Sequence, residues 1–546
     1  MRGCRRIGWM PLGAFLLCLS MYWSFPAWGA APQSAHPPFF NVMNYGAHNH
    51  GSAPSTDAFR AAIQAARQAG GGTVYIPAGD YVSGPIELFS NITLYIDAGA
   101  VLHFPATRLP LTPGRQQGIE VPTPVPLIGG HDLENVAIIG RGMLMSSNAD
   151  WLKLHPRQQR TGANIGSANG PKWEKLLRDL NAHKPISQAE YDAAGAELRP
   201  SFIRFMNSKN VLIDGLHIIG SPMWTVHLLY TENADVENMV IETYPGVHTD
   251  GVVIDSSRFV RLANDYIDTG DDGIVIKSGK DADGLRVNRP TADVTITNCT
   301  VHHAHGALTI GSETSGGVRN VVASNITAVD TENGIRIKSA RGRGGVVQDL
   351  RFDNWTMENV GAAITINNYY MMEGEKPTSQ QPVSITTPVF RNIAISNVTV
   401  NGAKILINVL GLPEMPVKNV HINNVMGTGK VGLLADETDD LELHNVQLNT
   451  DAVAAFQAKN STNLELDRVS TRKPHAGTPV IRLDNTPGAI VRDSKAFPGT
   501  DVFLSAGPGE LKNLQLEGNL LKNARVAQEE KPNPDKNQLP EQRSDR

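Results

Sequence analysis

The sequence predicts a parallel β-helix, an all-β solenoid, and three observations carry that reading. Short β-rich strings recur from about Phe202 to Leu520: Val-Val-Ile-Asp at 252–255, Ile-Val-Ile-Lys at 274–277, Leu-Thr-Ile-Gly at 308–311, Ile-Arg-Ile-Lys at 335–338 and Ile-Thr-Ile-Asn at 364–367. Taking the third residue as marker (Ile254, Ile276, Ile310, Ile337, Ile366), the spacings are 22, 34, 27 and 29, and Ile407, Leu434, Phe456, Ile481 and Phe503 extend the series. A second ladder runs alongside, with Asn298, Asn325, Asn354, Asn397, Asn424 and Asn445 each preceding a hydrophobic residue or cysteine. No long helical pattern interrupts these strings. Stacked coils bury the inward Ile, Val and Leu on one another, and turn asparagines can hydrogen-bond up the stack. Propeller repeats are longer and more even, and leave the asparagines unexplained.

The N-terminus carries Arg2, Arg5 and Arg6, an apolar run from Ile7 to Phe25 and small residues at 29–31, which reads as a signal peptide over residues 1–30. The run is short and broken by Pro11 and Pro26, so a membrane anchor is the weaker reading. The solenoid is expected over 31–523. Ser55-Thr56-Asp57 followed by Phe59, Ala62, Ile63 and Ala66, then three glycines at 70–72, reads as a capped amphipathic helix closing the N-terminal end of the core. Residues 151–200 interrupt the strand pattern with helix-like segments at Lys172–Leu180 and Gln188–Ala196, an inserted excursion. The polar, proline-bearing tail from Ala524 to Arg546 is expected to be disordered.

Composition excludes several classes. With 41% hydrophobic residues the 546-residue chain has ample core material, and a net charge of -5 argues against a basic nucleic-acid binder. An anionic ligand must therefore meet a local patch. Of three cysteines, Cys4 and Cys18 fall in the leader and Cys299 stands alone, so no internal disulfide is expected.

Indexing each coil from its marker isoleucine brings the chemistry into line. Asp250 and Asp272 lie four residues before Ile254 and Ile276, whereas Asp271 and His305 lie five before Ile276 and Ile310. Arg336 and Lys338 flank Ile337 and point outward together. Equivalent positions on stacked coils sit ~4.8 Å apart, so these groups gather on one face. Each alone is ordinary: Asp in Asp-Gly is a turn residue, and Arg341-Gly-Arg343 reads as a solvated basic loop. The shared register is what turn chemistry does not require.

These residues carry a family resemblance. His248-Thr249-Asp250, Gly270-Asp271-Asp272, Ala304-His305-Gly306 and Arg336-Ile337-Lys338 resemble the Asn-Thr-Asp, Gly-Asp-Asp, Gly-His-Gly and Arg-Ile-Lys motifs of the polygalacturonases, family 28 of the glycoside hydrolases. The likeness runs from about Phe40 to Leu520, and the flanks Ser221–Trp224, Gly311–Gly317 and Arg341–Gly345 are similar to bacterial, exo-acting members. The resemblance implies a right-handed, single-stranded, pectin-lyase-like solenoid and inverting hydrolysis of α-1,4-galacturonosyl linkages in pectin. It implies Asp271 as general acid tuned by His305, Asp250 and Asp272 as holders of the attacking water, and Arg336 and Lys338 as a clamp for a galacturonate carboxylate. Tyr370 aligns with the family's substrate-contacting tyrosine, with Tyr369 adjacent. His248 replaces the family's asparagine and Ala304 its glycine, which leaves the sugar contact beside Asp250 open.

No metal or other cofactor is expected, nor any nucleic-acid or membrane partner after cleavage. The protein is expected to be an exported, periplasmic or secreted monomer acting on anionic plant cell-wall polysaccharide. Three alternatives stand beside this one: a calcium-dependent pectate lyase on the same fold, a rhamnogalacturonan or xylogalacturonan hydrolase, and a non-catalytic polysaccharide-binding β-helix. Exo action is expected if the excursion 151–200 or the proline-rich Pro105–Pro126 walls off the groove on its N-terminal side.

Overall fold

The computed structural model describes residues 38–154, 170–370, 379–450 and 453–531. The expected signal peptide lies outside them. Parallel strands stack coil upon coil from Phe39 to Glu530 as a right-handed β-helix. Ile254, Ile276, Ile310, Ile337 and Ile366 pair in succession and are fully buried, as the marker spacing requires. Each such side chain contributes ~1.5–3 kcal/mol relative to exposure.

Beyond Ile366 the expected markers slip. The marker column continues through Val409 and Ala435, whereas Ile407, Phe456 and Ile481 belong to the neighbouring inward column with Ile364 and Leu433. Leu433 and Leu504, rather than Leu434 and Phe503, are the members of that column. Strings such as Ile405-Leu406-Ile407 and Leu433-Leu434-Ala435 are apolar on both faces, so hydrophobicity does not pin their register.

The asparagine ladder is a chain of side-chain hydrogen bonds. Asn325 donates to Asn298 (3.1 Å), Asn354 to Asn325 (2.7 Å), Asn424 to Asn397 (3.1 Å) and Asn445 to Asn424 (2.9 Å). Asn397 turns to Asp353 instead of Asn354, and Asn298 extends the ladder back to Asn264. All six sit at φ between 53° and 58°, a left-handed turn that asparagine tolerates better than most side chains.

Helix α1, Thr56–Gln68, buries Phe59, Ala62, Ile63 and Ala66 in the core. Ser55 does not cap it through its side chain; its hydroxyl donates to the His48 carbonyl and accepts the His48 N–H instead. At the other end, Ala524–Glu530 is not tail: it pairs in parallel with Thr500–Ala506. Residues 532–546 lie outside the described residues.

Two segments rise over the face that carries the indexed residues. Leu111–Thr112 pairs with Thr123–Pro124, and Arg115–Gln116 with Ile119–Glu120, each antiparallel. Three helices occur around the excursion: α2 (Asn148–Leu154), α3 (Pro171–Asn181) and α4 (Gln188–Gly195). Trp173 and Leu176 of α3 and Ala194 of α4 form a small core with Ile119, Val121 and Leu198, so the two segments make one unit. That unit is pinned to the β-helix by buried polar contacts. Arg115 Nη1 donates to Asp255 Oδ1 (2.9 Å) and Ser256 Oγ (2.8 Å), and Arg204 Nη1 donates to Thr123 Oγ1 (2.5 Å). Asp255 ends the strand that follows Asp250, and Lys280, which donates to the Gly118 carbonyl, follows the strand after Asp271 and Asp272, so this wall stands beside the coils that carry the acids.

Candidate active site

Four neighbouring strands position the site: Val252–Asp255, Ile274–Lys277, Leu308–Ile310 and Asn333–Lys338. Their registers carry Val252 to Ile274 to Leu308 to Ile335, so the turns before them stack. Asp250, Asp271 and Asp272 each offer a carboxylate oxygen within 4.8 Å of the others. Both members of Asp271-Asp272 reach this cluster because the turn breaks the strand alternation. Gly270 crosses the backbone of Gly246 so closely that a Cβ would stand 1.9 Å from its carbonyl oxygen.

The acids differ in environment. The Asp250 and Asp272 side chains are only 4% and 2% exposed, while that of Asp271 is 19% exposed. Asp271 Oδ1 lies 3.2 Å from His305 Nδ1, and His305 Nε2 lies 3.5 Å from Glu332 Oε1. Asp272 accepts from Lys338 Nζ (2.9 Å) and Thr309 Oγ1 (2.8 Å), with Arg336 Nη1 at 3.7 Å. Lys277 Nζ stands 3.9 Å from Asp250 and 3.1 Å from Glu313, beneath the Trp224 ring. Tyr370 covers both Arg336 (5.5 Å) and Lys338 (4.9 Å), while Tyr369 sits over Arg341.

Burial, then the charge of Asp271, pushes the Asp250 carboxyl well above its ordinary value, with Lys277 opposing. Burial also disfavours ionisation of Asp271, but the hydrogen bond and charge of His305, with His248 and Lys338, outweigh it and hold that carboxyl low. Burial works against the His305 imidazolium, yet Asp271 and Glu332 hold its value above the ordinary one. Lys277 is kept firmly protonated despite burial, and its partner Glu313 is lowered to about 2.

The chemistry available follows from this division. One partly exposed acid shares a proton with an imidazole, two buried carboxylates face the same space, and Arg336 and Lys338 can receive an anion. The substitution at 248 has a backbone reason: His248 sits at φ 54°, a left-handed position at which Asn, Asp and His are the enriched side chains. Ala304 is fully buried, so its methyl is absorbed by the core.

Comparison with known proteins now has a geometry to rest on. Residues 187–432 match glycosyl hydrolases family 28, and residues 39–108 match rhamnogalacturonase A/epimerase, pectate lyase-like. A solved exopolygalacturonase from Thermotoga maritima is 32% identical with a TM-score of 0.65, covering 72% of this chain and 88% of its own. The chain belongs to glycosyl hydrolase family 28. A probable polygalacturonase of Vitis vinifera is 26% identical over 397 residues, 70% of this chain and 73% of the relative. A Yersinia enterocolitica family 28 exopolygalacturonase, 21% identical with a TM-score of 0.60 over 83% of this chain and 79% of its own, shares the fold.

All eight residues expected at the site of this family 28 member lie on consecutive coils: His248 and Asp250, Asp271 and Asp272, His305, Arg336 and Lys338, then Tyr370. Sequence reasoning missed Lys277, Glu332, Thr309 and Trp224. The signal for two of them was present: Lys277 follows its marker isoleucine as Lys338 does, and Glu332 lies five before Ile337, the index of Asp271 and His305. Arg115 carries no such signal, because it reaches the face from a distant loop.

Proposed function

We propose that this glycoside hydrolase cleaves α-1,4-galacturonosyl linkages of polygalacturonate from a chain end, with inversion. The observation that carries the reading is the contrast among the three acids. Asp271, the most exposed, can touch a glycosidic oxygen, whereas Asp250 and Asp272 are too buried to touch a sugar carbon but can take up a water. Asp271 then serves as general acid, Asp250 orients the water, and Asp272 accepts its proton.

Asp271 is held ionised in the free protein, so the proton it delivers is the one it shares with His305 across their 3.2 Å contact. A uronate carboxylate bound by Arg336 and Lys338 offsets the Lys338 charge, one of the influences that keeps Asp271 low. A sugar over the site also excludes water, and both effects favour the neutral acid. The guanidinium of Arg336 suits a planar carboxylate, with Lys338 as point charge and Tyr370 as ring support.

Exo action draws support from the wall made by 111–124 with α3 and α4, which is fixed beside the coil of Asp250 through Arg115 and Asp255. A polymer of this kind is met outside the cytoplasm, which accords with the export expected from residues 1–30; among the described residues no helix is long and apolar enough to cross a membrane. The test is product analysis on polygalacturonate. Short galacturonides without absorbance near 235 nm are expected; unsaturated products would mean a lyase, and absence of cleavage would reject the substrate.

A further inference from the structure

The outward column that holds Arg336 begins beneath the wall. Register carries Arg204 to His227, Val253, Val275, Thr309 and then Arg336, so Arg204 and Arg336 lie on one face of the β-helix. Arg204 is 1% exposed, and its Nη1 donates to Thr123 Oγ1 of the wall. Among the described residues its Nε and Nη2 have no hydrogen-bond partner. The same holds for Thr225 Oγ1 and for both ring nitrogens of His227, two residues that are fully buried. Val226 between them faces the core, so Thr225 and His227 both project to the side that the wall covers.

The interior gives Arg204 no counter-charge. Asp255 answers Arg115 at 2.9 Å and holds that guanidinium above its ordinary value despite burial, while its Oδ2 lies 3.7 Å from His227 Nε2. Among the described residues no carboxylate acts on Arg204, which burial pushes down to about 10. Burial, then the Arg204 charge, lowers His131; at His227 burial, with Arg204 and Arg115 behind it, outweighs Asp255. Arg204 is still protonated at neutral pH, and a buried cation is costly unless something offsets it. Water can accept its N–H groups, but only an anion also answers its charge.

We propose that Arg204, with Thr225 and His227 as neutral donors, binds a small monovalent inorganic anion of chloride size beneath the wall. Nε and Nη2 of the guanidinium face the ion and Nη1 stays on Thr123, so ion binding and the seating of the wall are coupled through one side chain. The site is sealed from a sugar chain and takes no part in bond cleavage. It therefore stands apart from the galacturonase reading and does not rest on it.

The test compares the full-length protein in sodium chloride and in sodium gluconate, whose anion is too large to enter, at equal ionic strength. Tm is expected to rise with chloride in a saturable way, by roughly 2–3 °C at about a hundred times the half-saturating concentration. Arg204→Met and Arg204→Gln should abolish that increment. Crystals grown in sodium bromide should show an anomalous peak within hydrogen-bond reach of the Arg204 guanidinium. Equal Tm in the two salts overturns the site, as does the same chloride increment in a folded Arg204 variant. Bromide crystals without a peak there overturn it too, with water as the occupant. The salt comparison and the bromide crystals use the wild-type protein, so a variant that fails to fold does not protect the proposal.

Discussion

Asp271 meets His305 at 3.2 Å through Nδ1, and the opposite nitrogen of the same ring faces Glu332 at 3.5 Å. The imidazole is thus bracketed by two carboxylates, with Asp272 the next charge to face it. Its raised value means that its proton persists into higher pH and is lost as pH climbs through that value, so on the proposed mechanism this loss is expected to set the alkaline limb of activity. Glu332→Gln removes one of the influences that raise it. The limb should move to lower pH, and only modestly, since Glu332 is 56% exposed and its charge is screened. Glu332→Asp should restore part of the shift. An unmoved limb in a folded Glu332→Gln protein counts against the bracket.

Stereochemistry separates a held water from a nucleophile. The closest carboxylate oxygens, within 4.8 Å, are nearer than the ~6.5–9.5 Å usual for inverting pairs, so distance alone leans towards retention. Burial argues the other way, because a nucleophile must reach the anomeric carbon. The first product seen by proton NMR is expected to be the β-anomer; an α-anomer would mean that Asp250 or Asp272 attacks directly. EDTA should leave activity intact, since Lys338 at 2.9 Å from Asp272 and Lys277 at 3.9 Å from Asp250 supply positive charge to this cluster.

Among the contacts that pin the wall, Arg115–Asp255 is a fully buried ion pair. Arg115 and Asp255 are each 0% exposed, and Arg115→Met leaves Asp255 facing His227 at 3.7 Å in place of the guanidinium, a destabilisation of up to ~3–5 kcal/mol for a broken buried pair. Loosening of the wall should let the polymer lie across the groove. Viscosity of polygalacturonate should then fall more per bond cleaved than with the wild-type protein. Equal viscosity loss per bond would show that the wall does not set the mode of attack.

A stability effect is expected far from the groove. Asp265 is buried, accepts from the Met239 N–H at 2.9 Å and leaves Oδ2 without a partner among the described residues. Burial raises its value to about 8. Between the ordinary carboxyl value and that point the folded protein keeps a proton that the unfolded chain has released, so stability from this group is full in acid and falls as pH rises. The slope is at most ~1.4 kcal/mol per pH unit. Asp265→Asn mimics the neutral form, and its Tm advantage over wild type should widen from pH 5 to 8. Parallel curves would exclude Asp265 as the titrating group.

The sequence disclosed what repeats. Ile254 to Ile366 and the asparagine turns are legible because stacking demands one residue type at one register, and the acids, His305, Arg336 and Lys338 share that register. Legibility fails where strands are apolar on both faces, which misplaced Leu434 and Phe503 by one residue. Ser55 looked like a helix cap, yet its hydroxyl was taken by His48. The wall is not legible in the sequence, since nothing in residues 105–126 encodes which face the loop will cover. Arg115 finds Asp255 across 140 residues of chain, and only the folded coil brings them together.

The central assignment is Asp271 as the proton donor, and turnover of Asp271→Asn on polygalacturonate tests it most directly. The amide keeps the size of the side chain but cannot donate the acid proton, so kcat should drop at least ~10²-fold with Tm and circular dichroism unchanged. Near wild-type turnover in a correctly folded Asp271→Asn protein would contradict it.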